Sequence, residues 1–185
     1  MPHDYLRRLG PEAYQGTAFV HWSMTIADRK TGWLDAVHHA SVRELLLHTL
    51  ARYDLACPAF CLMPDHGHFL WLGVSPQADQ RKASPFFRRH WNRLLKAKGC
   101  ELQLQGFDHV LREEERERGA FGAVASYIME NPVRANLVTD WRTYWYSGAV
   151  VVGRPELDPR ADDFWERFWR QWNSLVEGGG APLPP

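Results

Sequence analysis

Apolar and polar positions alternate along residues 17–26, and that period of two predicts a first β-strand. A turn follows at residues 28–32. Residues 35–53 change to the helical period, with Val37, Leu46, Leu47 and Leu50 expected to face inward. Two apolar runs, residues 58–63 and 67–74, flank Pro64-Asp65 and predict a strand pair joined at that turn. Ser84-Pro85 is expected to open a second helix, because serine is favoured at the N-cap and proline at the first helical position. Phe87, Trp91, Leu94 and Leu95 would form its buried side. Residues 106–111 predict a fourth strand. Residues 113–131 predict a helix halted by Pro132, since the residue before a proline avoids helical angles. Its apolar stripe is Phe121, Val124, Ala125 and Ile128. Residues 141–153 are expected to be strand and loop. Residues 158–176 predict an amphipathic helix with Phe164, Phe168, Trp172 and Leu175 at helical spacing. An irregular arm with local helix precedes these elements over residues 1–16. A glycine- and proline-rich tail, flexible by composition, ends the chain over 177–185. The pattern alone supports an α+β class, with one domain over residues 1–176 and a core over about 17–150.

A chain of 185 residues is long enough to bury a core as one domain, and 45% apolar residues with 9 Trp place it among folded proteins. No stretch of about twenty apolar residues is present, so no membrane span is expected. Residues 1–8 lack the apolar core of a secretion signal, which points to the cytoplasm. Three cysteines do not make a disulfide framework and agree with a reducing compartment. On one extended strand Cys57 and Cys61 would sit roughly 13 Å apart, too far to bridge. A zinc site of Cys57, Cys61, His66 and His68 is an alternative, but structural zinc prefers tight turns between cysteines.

The net charge of zero at pH 7 argues mildly against a nucleic-acid partner. The distribution argues the other way. Residues 80–100 hold no acidic side chain, whereas Arg81, Lys82, Arg88, Arg89, Arg93, Lys96 and Lys98 are basic. Arg88, Arg89 and Arg93 could meet phosphates; the alternative is a solvated charged face. The acidic residues Glu113, Glu114, Glu115 and Glu117 gather elsewhere and fit a solvated helix start.

His66-Gly67-His68 carries the clearest candidate chemistry. Histidines two apart on a strand point to one face, with Cα atoms about 6.6 Å apart. Two imidazoles so placed can converge on one divalent metal; two ordinary strand histidines are the alternative. Further on, Tyr127 falls on the flank of its helix stripe, and Asn131 lies one turn later on the same side. That helix offers a phenol and a carboxamide together, or two packing residues.

In combination, these stretches resemble the Y1 (IS200-like) transposases of the HUH nuclease superfamily, and within it the REP-associated tyrosine transposases. The resemblance runs from about Ala18-Phe19-Val20-His21-Trp22 through Cys61-Leu62-Met63-Pro64-Asp65-His66-Gly67-His68-Phe69-Leu70 and Gly106-Phe107-Asp108-His109-Val110-Leu111-Arg112 to the segment Tyr127 to Val138 and on to Ser147-Gly148-Ala149. Residues 158–172 look like the tryptophan-rich end of one subgroup. Two departures stand out. The middle of the histidine motif is usually bulky and apolar, but here it is Gly67, which can mark a bulge. The Trp-Gln usual before the Gly-Phe pair is also missing from Leu102-Gln103-Leu104-Gln105.

The resemblance implies a ferredoxin-like or RRM-like HUH fold, a small antiparallel sheet with helices packed on one side. It implies His66 and His68 as metal ligands completed by Asn131, with Tyr127 as nucleophile and Mg²⁺ or Mn²⁺ as cofactor. The implied activity is a single-stranded DNA endonuclease and strand transferase that forms a 5′-phosphotyrosine at hairpin-associated or palindromic sites and frees a 3′-hydroxyl. A phenol, ordinarily ionising near pH 10, becomes a workable nucleophile once its proton is lost near a cation. The basic residues Arg81, Lys82, Arg88, Arg89, Arg93 and Lys96, together with Arg134, are the candidate DNA contacts; Arg134 could equally cap the turn after Pro132. His109 is expected in the core, with support of the metal ligands as its other role. A nucleoid-associated prokaryotic setting follows from the same resemblance, and monomer and homodimer both remain open. The alternative function is a catalytically inactive hairpin-binding regulator on the same fold.

Overall fold

The computed structural model describes residues 8–178. Much of the expected arm and residues 179–185 of the expected tail lie outside them. Strands β1 (Phe19–Thr25), β2 (Leu55–Met63), β3 (His66–Gly73), β4 (Phe107–Val110) and β5 (Ser147–Val150) form one antiparallel sheet in the order β4-β1-β3-β2-β5. The first four strands, linked by helices α1 (Ala36–Arg52) and α2 (Gln80–Lys96), follow the ferredoxin-like βαββαβ plan. The α+β class and the antiparallel sheet are as expected.

The helices occupy both faces of the sheet. On one face α1 and α2 bury Val42, Leu46, Leu50, Phe87, Trp91 and Leu95 against Trp22, Phe60, Phe69 and Trp71. The expectation of one-sided cover holds for this pair only. Between β4 and β5 lie α3 (Glu113–Glu117) and α4 (Ala120–Arg134), and α5 (Phe164–Glu177) follows β5. On the opposite face α4 and α5 pack Ile128, Met129, Phe164 and Phe168 onto Phe19, Cys61, Leu70 and Leu72. Because both faces are covered, β1 and β3 are buried almost continuously, with successive side chains going to opposite faces.

Several local expectations need correction. In α1, Val37 and Leu47 are exposed, while His38 and His39 are buried with Val42 and Leu46. The cause is Trp91, whose indole donates to His38 Nε2 at 3.1 Å and turns that imidazole inward beside Trp33. Helix α2 starts a turn before Ser84. The Asp79 carboxylate caps it by accepting from Arg81 N and Lys82 N. Buried Gln80 accepts from the Trp22 indole at 3.0 Å and donates to Ala18 O at 2.8 Å. These anchors hold the first turn in place even though Pro85 interrupts the backbone ladder.

The helix expected over 113–131 is two helices, parted at Gly119, whose φ of +83° favours glycine. Nor does Pro132 halt α4, which runs on to Arg134. Pro132 sits in the last turn, where Ala135 N still reaches Asn131 O at 2.9 Å and Leu137 N reaches Pro132 O at 2.8 Å. Helix α5 begins at Phe164 and not at 158, because Arg160 anchors the preceding turn by donating to Arg142 O and Tyr144 O, each at 2.8 Å. Its last residue is Glu177, so the chain is still helical where the tail was expected to begin.

The two cysteines of β2 part company. Pairing with β3 shifts register between Ala56 and Ala59, around Pro58, which has no N–H to give to a ladder. Cys57 therefore packs on the α1/α2 face and Cys61 on the α4/α5 face. They cannot share a metal with the two histidines. Both thiols are free and buried, and burial pushes them well above their ordinary range.

Two buried histidines of α1 make the fold sensitive to acid. Burial, then Arg43 and Arg160, hold His39 down at about 4. Burial also lowers His38 against the opposing pull of Asp35. The unfolded chain takes up protons near pH 6.5, before the folded one does. Stability is therefore expected to fall as pH drops from about 6.5 towards 4, by at most about 1.4 kcal/mol per pH unit for each histidine. Urea unfolding across that range checks this, and His39→Phe should flatten the slope. Stability unchanged between pH 7 and 5 would contradict it.

Candidate active site

Strand β3 opens at His66, and its even-numbered side chains point to the α4 face. His66 and His68 therefore stand side by side, and their Nε2 atoms are 3.0 Å apart. Gly67 points the other way. It pairs regularly with Met24 on β1 and Leu62 on β2, so the glycine marks no bulge. A Cβ at this position would lie 2.9 Å from Cη2 of Trp91 and 3.1 Å from the Phe69 ring. The departure from a bulky residue is thus a packing requirement: the α2 tryptophan fills the space behind the histidines.

Strand pairing adds a third imidazole. His21 of β1 lies two positions from Ser23, the partner of His68. Its Nε2 reaches His68 Nδ1 at 3.0 Å. At the other end, His66 Nδ1 meets the Asp65 carboxylate at 2.6 Å, and Arg29 holds the second oxygen of Asp65 at 2.8 Å. Burial pushes the Asp65 carboxyl up, but the hydrogen bonds from His66 and Arg29 outweigh it and leave it below the usual range. Burial, then the neighbouring His21 and His66, hold His68 down at about 3. Burial, then His109, holds His21 at about 4. At neutral pH the two buried rings, His21 and His68, are thus uncharged and can offer lone pairs.

Helix α4 brings Tyr127 over this row. The Tyr127 ring packs edge-on to His68 at 5.5 Å and to His21 at 6.1 Å. It is 39% exposed, so the phenol side chain borders both the imidazoles and solvent. The Arg134 guanidinium lies over the same ring at 5.3 Å. Asn131 is buried one turn on, where its amide nitrogen donates to Tyr127 O at 2.7 Å. Among the described residues no hydrogen bond joins Asn131 to either imidazole. His109, half-buried on β4 opposite His21, pairs with Glu115 at 3.2 Å and is not a core residue.

The donor set can be tested for metal. Two nitrogens about 3 Å apart match the bite of ligands on one cation at about 2.0–2.1 Å from each. The carboxylate on the far nitrogen of His66 is the usual outer support of a metal-bound imidazole. Among the described residues, no group of three or more His, Cys, Asp or Glu side chains forms a metal cluster. The paired imidazoles fit two ligands of one cation, whereas Asn131 is tied to Tyr127 O and makes no hydrogen bond to them.

The candidate DNA residues of α2 lie elsewhere. This helix covers the face opposite the imidazoles, where Arg81, Lys82, Arg89, Arg93 and Lys96 are exposed. Lys82 is paired with Asp79 at 3.2 Å. Arg88 is committed to the fold, since it donates to the carbonyls of Gln103 and Leu104. Arg134 alone of the seven stands beside Tyr127. Sequence reasoning missed His21 and Asp65, although both lie within the stretches that carry the family resemblance.

Comparison with known proteins adds the fold. No family model and no curated protein matches the sequence. Among solved structures, the chain matches a REP-associated tyrosine transposase bound to a REP hairpin, with a TM-score of 0.63 and 15% identity. The alignment covers 98% of this chain and 99% of that one. The two chains share their fold. No helix of the described residues is long and apolar enough to cross a membrane.

Proposed function

We propose that this protein is a metal-dependent single-stranded DNA endonuclease and strand transferase that acts beside hairpins. The observation that carries the reading is Tyr127, a half-exposed phenol packed against the paired imidazoles on β3. The shared fold supports it, because the matched transposase was solved with a REP hairpin. His66, His68 and Asn131 would hold a divalent cation, which when bound would neutralise and orient the phosphate oxygens.

Tyr127 then supplies the nucleophile. Its oxygen forms a bond to phosphorus, the phenol proton passes to solvent, and the bond to the 3′ oxygen breaks. The freed strand end takes a proton and becomes a 3′-hydroxyl, while the 5′ phosphate stays on the tyrosine. The bond energy is retained, so a 3′-hydroxyl can later reverse the step. Arg134, over the Tyr127 ring, stands ready for the phosphate charge. Imidazole ligands suit Mn²⁺ better than Mg²⁺, so Mn²⁺ is expected to support cleavage at least as well.

Labelled single-stranded hairpin DNA from the gene's own flanks, with either metal, tests this on a denaturing gel. A covalent adduct that vanishes in Tyr127→Phe and in His66→Ala is expected. Tight hairpin binding with no adduct in either metal would replace this reading with a hairpin-binding regulator.

The exposed α2 cations are assigned to the hairpin phosphates. The chain leaving α2 returns to the histidine end of the sheet, where Ala27 N meets Glu101 O at 2.8 Å and Ile26 N meets Asp65 O at 2.9 Å. A duplex on α2 could therefore feed a single strand around that end. Removing Arg89 and Arg93 together should reduce the salt slope of hairpin binding by about 0.9 per lost contact. Anisotropy titrations across salt measure it, and an unchanged slope would move the hairpin off α2.

A further inference from the structure

We infer that Phe107 is the stacking platform for the unpaired nucleobase beside the scissile phosphate, an inference that rests on the single-strand cleavage proposed above. Phenylalanine has no polar tip and is among the residues most often buried, yet Phe107 is 51% exposed. Every other phenylalanine of the chain touches at least one further aromatic ring. Among the described residues, Phe107 is the phenylalanine that leaves its ring without such a partner. A bare aromatic face is what an unpaired base seeks, because every base has a π-face to lay on it.

Strand register places this ring beside the site. Phe107 is the partner of Ser23 on β1, and Ser23 is in turn the partner of His68 on β3. Residues directly opposite one another share a face of the sheet, so Phe107, Ser23 and His68 form one row on the face that carries Tyr127. Neighbouring strands lie about 4.8 Å apart, which puts Phe107 roughly 9.6 Å from His68 along the row. One nucleotide can bridge that span from phosphate to base. Ser23 between them is small and only half-buried. Helices α4 and α5 cover the other end of this face, over Phe19, Leu70 and Leu72. Strand β4 is an edge of the sheet, so no further strand closes the space beyond Phe107. The carboxylates of α3 follow the opposite end of β4, which leaves the Phe107 end as the one a polyanion can approach. Stacking tolerates any base, so Phe107 fixes where the strand lies and not which base is cut.

Binding and photocrosslinking of the full chain to a DNA hairpin that carries a single-stranded tail, in Mn²⁺, test the inference. Phe107→Leu keeps the apolar bulk without a π-face, and Phe107→Tyr keeps the face. Leucine should weaken the tail's share of the affinity about 5–150-fold, which corresponds to about 1–3 kcal/mol for one stacked base, and tyrosine should keep most of it. An abasic nucleotide moved along the tail should find one position at which wild type and Phe107→Leu bind alike. A 5-iodouracil at that position should crosslink to the peptide containing Phe107, and the cut should map to a phosphate next to it. Wild-type tail affinity in Phe107→Leu, a loss that no abasic position removes, or a crosslink to a different peptide would overturn the inference. An equal loss on the hairpin without its tail would mark a structural role and overturn it as well. If no adduct forms on Tyr127, the cleavage reading fails by itself, and tail affinity and crosslinking still decide whether Phe107 holds a base.

Discussion

Tyr127→Phe is expected to abolish the covalent DNA adduct and strand cleavage, a loss of at least about 10³-fold, while hairpin affinity and stability stay near wild type. The substitution removes one oxygen and keeps the ring. That ring makes the contacts that fix it, edge-on to His68 and His21 and beneath Arg134. The oxygen belongs to a half-exposed side chain, so its loss leaves no buried partner unpaired, and stability should change by less than about 0.5 kcal/mol. Single-turnover cleavage, anisotropy binding and urea unfolding measured on one preparation separate the three effects. Cleavage surviving in Tyr127→Phe would mean that another group attacks the phosphate, and parallel loss of binding would mean that the ring positions DNA.

The second large effect concerns support behind the histidines. Trp91→Ala should destabilise the fold by about 3–5 kcal/mol. Its ring packs on Trp33, Phe69 and Phe87, and its indole nitrogen satisfies buried His38. Gly67→Ala should cost about 1–3 kcal/mol by overpacking, because the new methyl would stand 2.9 Å from Trp91. Strand preference for alanine over glycine returns only about 0.5–1 kcal/mol, so the clash decides the sign. In a Trp91→Ala background the closest contact is gone and the Phe69 ring, 3.1 Å from the new methyl, gains room to move away, so Gly67→Ala should cost far less. The double-mutant cycle should thus show a coupling of about 1–3 kcal/mol. Additive effects would mean that the tryptophan is not what demands glycine there.

Much of this arrangement was legible in the chain. The period of two around His66 and His68 gave their common face, and the i, i+4 spacing put Asn131 on the side of Tyr127. The strands read well because their apolar runs are bounded by turns. The parts that escaped depend on partners distant in sequence. Nothing local reveals that His21 lies beside His68, since strand register is a tertiary property. Nothing local reveals that Trp91 turns His38 inward in place of Val37, or that Gly67 is a packing requirement. The α2 cations were visible as a cluster, but their face of the sheet was not, and Arg88 proved to be a structural donor to the loop at Gln103 and Leu104. Pro132 misled because a proline in a last turn costs little backbone bonding, whereas Gly119 broke the helix where periodicity carried through.

The central claim is that Tyr127 attacks DNA. Its most direct measurement is peptide mass mapping after the protein has been incubated with a single-stranded hairpin substrate and Mn²⁺. The account predicts a nucleotide linked through its 5′ phosphate to the peptide containing Tyr127, with a 3′-hydroxyl on the released strand. A protein that binds both hairpin and Mn²⁺ yet carries no adduct, or carries it on a different residue, would contradict it.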